Sequence, residues 1–252
     1  MTPDVFDAVE QEYDALEAML ESLDDKAWAT PSLCPGWSVA DVVLHLAQSE
    51  ETVGVSAGER PAAALEISVG SGRSTGTIDD VVEGWVASER DQPPRRHLDR
   101  WKVASRSALV TLKAADPTEL FQWATNPLKP RTLATTRLSE HWIHANDIAQ
   151  PLGFPYPDTA RLWHIARLAH RTIPYAYGRA GRDDPPSVRV ELVSPDQESW
   201  EFGPEDAECI VRGTASDFCR IAARRLAPAE AKSIEATGAR VDEVLGLVRT
   251  YA

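Results

Sequence analysis

Residues 137–149 read RLSEHWIHANDIA. They fall in a segment, about 132–150, whose pattern predicts a helix. A loop with Pro117, Pro127 and Pro130 precedes it at 116–131, and QPLGFPYPD follows at 150–158. Three prolines and a glycine in that second stretch predict a linker. On a helix, Glu140 and His144 project from one face, because residues four apart stack one turn above the other.

Upstream, more segments carry helical periodicity. Val5, Val9, Tyr13, Leu16, Leu20 and Leu23 recur at steps of three and four, with acids between them. Ser38 opens a second helix, with Asp41 three residues on in the sense of a capping box. The body of that helix, VADVVLHLAQSEETVG, is apolar on more than one side and belongs inside a bundle. Residues 56–76, rich in Gly, Ser and Ala, predict a loop, and Thr77 with Asp80 a cap before VVEGWVASER. Pro93 and Pro94 interrupt helical structure. A helix resumes near His97 and runs through Trp101, Ala104, Ala108 and Leu112. Four main helical segments predict a four-helix bundle over 1–149.

Beyond the linker 150–158 the pattern changes. Residues 159–178 predict a helix. SVRVELVSP (187–195) alternates with period two and predicts a strand; SWEFGP and AECIVRG suggest two more. TASDFCRIAARRL (214–226) and 239–250 predict helices. Residues 159–252 therefore form an α+β domain, and the chain as a whole is α+β.

The 252 residues carry 26 Lys+Arg against 39 Asp+Glu, a formal charge of −13. That excess of acid disfavours phosphate-backbone binding, which wants a basic face. Apolar runs fall far short of the roughly 18 residues that span a bilayer, and the acidic start MTPDVFDAVEQEYD has no signal-peptide core. A cytoplasmic protein is expected, with no nucleic-acid or membrane partner. Cys34, Cys209 and Cys219 are an odd set with no CxxC spacing, so neither a disulfide framework nor a thiolate zinc site is indicated.

Glu140 and His144 at helical spacing can hold one metal ion together, or can be an ordinary surface pair. His45, mid-helix in VVLHLAQ, is the best third ligand; the alternative is a core histidine satisfied by a hydrogen bond. Three such ligands leave a position open for water or substrate, as in catalytic zinc sites. Asp147 can hold the free ring nitrogen of a nearby histidine. His141 points about 100° away around the helix, and His97, His164 and His170 read as surface or core residues. Trp37 reads as a staple for the Cys-Pro-Gly turn, and Cys34 as buried. Arg220, Arg224 and Arg225 offer planar forks suited to carboxylates, or simply offset a helix dipole.

CPGWSVADVVLHL (34–46) resembles the first motif of the mycothiol-dependent maleylpyruvate isomerase N-terminal family, among the DinB-like metal-binding bundles. RLSEHWIHANDIA is similar to that family's second motif. The resemblance implies metal ligation by His45, Glu140 and His144. GTASDFCRIAARR resembles the family's small C-terminal domain, of sterol-carrier-like α/β shape. There an arginine at the end of the helix contributes to activity, and the nearest match is Arg225, with Arg224 the neighbouring choice. The helix lacks the family's usual aromatic and glycine before that arginine.

The resemblance implies a divalent metal, most suitably Zn²⁺, and mycothiol as thiol cofactor or co-substrate. The expected activity is isomerisation or S-conjugation of a small electrophile, in a pocket expected between residues 1–149 and 159–252. The alternatives are a ligand-binding module with a structural metal and a metal-dependent hydrolase.

Overall fold

A computed structural model of the chain describes residues 4–56, 78–123 and 126–250. The chain divides into two compact units. One runs from Phe6 to Tyr156; the other takes in Pro157 onward, together with Asp4 and Val5.

The first unit is helical. Its elements are α1 (Val5–Glu21), the short α2 (Asp25–Trp28), α3 (Val39–Ser56), α4 (Ile78–Glu89), α5 (Pro94–Ala114) and α6 (Pro130–Leu152). Leu16, Leu20, Val42, Leu44, Leu46, Trp101 and Leu138 are wholly buried and make the core. Helix α3 begins as its sequence dictates. Asp41 Oδ2 accepts from the Ser38 N–H at 2.9 Å, and Ser38 Oγ accepts from the Asp41 N–H at 3.2 Å, so two orphan donors are satisfied reciprocally. The predicted loop at 56–76 and the Thr77 cap lie, apart from Ser56 at the end of α3, outside the described residues.

Two helix boundaries differ from expectation. Helix α5 starts at Pro94, not near His97, because a proline at the first helical position gives up an N–H that has no intrahelical partner anyway. Helix α6 runs through Pro151 into the expected linker. It stops at Gly153, whose φ of 63° ends the helix, and the Phe154 N–H closes back on the Ala149 carbonyl at 2.9 Å.

The second unit is α+β. The predicted helix 159–178 is two, α7 (Leu162–Arg171) and α8 (Ile173–Arg179), with Pro174 in the first turn of the second. Strands β1 (Val188–Val193), β2 (Ser199–Phe202), β3 (Cys209–Thr214) and β4 (Glu235–Thr237) form one sheet of order β2-β1-β3-β4. β1 and β3 are parallel, with Val190 opposite Val211; β2 and β4 add antiparallel edges. Val188, Val190 and Leu192 are buried on one face, while Arg189 and Glu191 join Glu201 and Arg212 in ion pairs on the other.

Helices α9 (Ala215–Ala222) and α10 (Val241–Leu247) complete the unit. Helix α9 ends earlier than the predicted 226. Arg224 sits at a φ of 59°, the left-handed region, and the Arg225 N–H bonds the Arg220 carbonyl at 2.9 Å. The Arg224 guanidinium donates to the carbonyls of Gly246 (2.8 Å) and Leu247 (3.2 Å), tying the ends of two helices together. So Arg224 is a structural residue, and Arg225 is exposed in the turn beyond the helix rather than on it. Arg220 is on the helix and pairs with Asp158 at 2.7 Å. We expect Arg224→Ala to lower the urea midpoint of the second unit, and Arg224→Gly to recover about 1 kcal/mol by relieving the left-handed backbone. Equal midpoints for Arg224→Ala and the wild type would show that those two bonds contribute nothing.

Candidate metal centre

His45 lies near the middle of α3, and Glu140 and His144 one turn apart on α6. Their ligand atoms lie within 4.8 Å of one another. His45 Nε2 is 3.1 Å from Glu140 Oε1. The His45 and His144 rings meet edge to face, with centroids 5.0 Å apart. His144 Nδ1 is 3.1 Å from Asp147 Oδ2, so Nε2 is the nitrogen left for a metal.

The side chains of His45, His144 and Glu140 keep 13, 13 and 26% exposure, whereas Arg137 and Asp147, which hold Glu140 and His144, are sealed. Arg137, fully buried, donates to Glu140 Oε2 and, at 2.9 Å, to Ser49 Oγ. Ser49 in turn donates to Glu140 Oε1 at 2.9 Å. Glu50 lies behind them, also fully buried, 3.3 Å from Arg137 Nε. Sequence reasoning missed Glu50 and Ser49. The available signal was spacing: Ser49 is four residues after His45 and shares its face.

Charge at the site follows from these contacts. Burial alone would raise the Glu140 carboxyl, but the Arg137 guanidinium and the His45 bond hold it well below the usual carboxylate range. Burial pushes His45 down, against the opposing pull of the Glu140 carboxylate. Burial also works against charge on His144, yet the bonds to Asp147 and Cys34 raise it to about 9. Burial lifts Glu50 to about 7, against the pull of Arg137.

His141 stands apart, as its angle around the helix requires. Trp101 Nε1 donates to its Nε2 at 2.9 Å, so its Nδ1 carries the proton and donates to the Arg137 carbonyl at 2.9 Å. Burial and Arg137 depress it to about 3, so it is a neutral core residue. Trp37 does more than staple its turn: its ring lies 5.2 Å from that of His45.

The profile of the mycothiol maleylpyruvate isomerase N-terminal domain matches residues 9–149. The chain belongs to this family. Two uncharacterized proteins of Mycobacterium tuberculosis, from strains CDC 1551 / Oshkosh and ATCC 25618 / H37Rv, are each 30% identical over 243 residues. Those matches cover 96% of this chain and 92% of each relative. Crystal structures of the mycothiol-dependent maleylpyruvate isomerase and of a point mutant of it share the fold, with TM-scores of 0.58 and 0.59 at 14% identity. Each covers 92% of this chain and 91% of the other. The family match thus lies in the first unit, while the likeness of fold extends through both. Among the described residues no helix is long and apolar enough to cross a membrane.

Proposed function

We propose that this protein is a metal-dependent enzyme that uses mycothiol to isomerise or S-conjugate a small electrophile. The convergence of His45, Glu140 and His144 carries the reading. Two imidazole nitrogens and one carboxylate oxygen are a donor set that zinc accepts. His45 Nε2 and Glu140 Oε1 already face each other at 3.1 Å, so both could hold one ion. Bound there, Zn²⁺ would favour the thiolate form of a thiol near neutral pH, the form that adds to a conjugated double bond.

The chain's own residues prepare the site. Arg137 and Ser49 fix both oxygens of Glu140. Asp147 fixes the tautomer and tilt of His144. Isomerisation and conjugation need the same arrangement, because they differ only in whether the thiol is later eliminated or kept. Arg225, exposed in the second unit, is our choice for the cationic partner of the substrate's carboxylate or enolate. The three cysteines are free thiols, consistent with work in the reducing cytoplasm.

The test is turnover of maleylpyruvate, and of electrophiles of similar size, with mycothiol and zinc supplied or withheld. Activity is expected only with both. Arg225→Ala should keep its metal and lose roughly 10²–10³-fold in turnover. Thiol-independent turnover would favour a hydrolase, and wild-type rates in Arg225→Ala would remove that residue from the reaction.

A further inference from the structure

Cys34 is used by nothing in the proposed reaction, yet the fold carries it to the ligands. Residues Cys34-Pro35-Gly36-Trp37 form a tight turn: the Trp37 N–H bonds the Cys34 carbonyl at 3.0 Å, and Gly36 has a φ of 82°. Proline second and glycine third are what a type II turn demands. The turn is fastened to α6 at Asp147 in two ways. The Leu33 N–H donates to the Asp147 carbonyl at 3.0 Å. The Cys34 thiol donates to Asp147 Oδ2 at 3.2 Å.

That oxygen is the one that meets His144 Nδ1 at 3.1 Å. Cys34 Sγ also stands 3.6 Å from the same nitrogen. Cys34, Asp147 and His144 thus form a second close trio, with ligand atoms within 4.8 Å, sharing His144 with the first. On the turn's other side Trp37 lies against His45. One short turn therefore braces both histidines.

We propose that Cys34 is a positioning residue of the metal centre, acting on His144 through Asp147 and not as a ligand. This rests on the metal reading above. The carboxylate is nearly sealed, with 1% of its side chain exposed. Within the trio, only the thiol and the imidazole N–H are side-chain donors to Oδ2. Without the thiol the carboxylate loses one of its anchors, and the imidazole it orients is held less firmly.

The experiment is zinc affinity, by chelator competition, of the wild-type chain and of Cys34→Ala, Cys34→Ser, Asp147→Asn and the double variant Cys34→Ala/Asp147→Asn. Metal-free unfolding curves check that each is folded. Asp147→Asn should weaken binding by roughly 10–100-fold and Cys34→Ala by about tenfold, the low end of that range because a thiol is a weak donor. Serine should restore most of the loss. The double variant should bind no worse than Asp147→Asn alone, since the thiol acts through the carboxylate. Wild-type affinity in Cys34→Ala would overturn the proposal, and so would additive losses in the double variant. A thiolate-to-metal band in the Co²⁺ protein, present without added thiol and lost in Cys34→Ala, would make Cys34 a ligand and overturn it too. If the wild-type chain itself binds no zinc, the metal reading falls and takes this one with it.

Discussion

Replacing His144 with alanine is expected to abolish the proposed metal binding and leave the bundle folded. Isolated without chelator, the wild-type chain should carry about one divalent ion, as one three-residue site allows, and the variant less than about a tenth of that. The loss should exceed the 10–100-fold typical of residues that merely orient a ligand, because a donor atom itself disappears. The fold should survive, since His144 is partly exposed, and Cys34 and Asp147, which it touches, still bond each other. A destabilisation of about 1–3 kcal/mol is expected, because the sealed Asp147 carboxylate loses a charged partner and keeps the Cys34 thiol. Elemental analysis beside circular dichroism checks both halves. A folded variant with full metal content would remove His144 from the site.

Arg137→Met should act in the opposite way, on the fold before the metal. Arg137 is fully buried between Glu50 and Glu140, with its guanidinium carbon 4.6 Å from the centroid of the Trp123 ring. Removing one partner of a buried pair while the other stays costs about 3–5 kcal/mol. Methionine fills the space and supplies no charge. In the metal-free protein that full cost should appear in denaturant unfolding. With saturating Zn²⁺ it should be smaller, because a cation on Glu140 takes over part of what the guanidinium did. Zinc should therefore raise the unfolding midpoint of the variant by more than that of the wild type. Equal shifts would mean that zinc does not take over the part the guanidinium plays at Glu140.

Much of the fold was readable because it rests on local chemistry. The stripe from Val5 to Leu23, the Ser38–Asp41 box and the alternation of 188–193 each announce an element from within one short window. The juxtaposition of His45 with Glu140 and His144 needed more, since it joins residues 95 positions apart; family resemblance pointed to it, and the bundle brings them together. What stayed hidden depends on distant partners. Glu50 looks like a solvated acid beside Glu51 until Arg137 arrives from another helix to bury it. Helix α9 should continue through Arg224 by propensity, yet carbonyls of Gly246 and Leu247 reward the side chain for turning away. β4, three residues with no apolar alternation, is an edge strand defined by its pairing with β3 and not by its composition. Cys34 belongs beside His144 only because the loop closes onto Asp147, 113 residues on.

The most direct measurement is the absorption spectrum of the Co²⁺-substituted chain titrated with mycothiol. A metal held by His45, Glu140 and His144 keeps a position that a thiol can take. The titration should then show a sulfur-to-cobalt band that saturates at one thiol per metal and is absent in His144→Ala. A spectrum that mycothiol leaves unchanged, in protein carrying its full complement of cobalt, would contradict a thiol-activating metal centre.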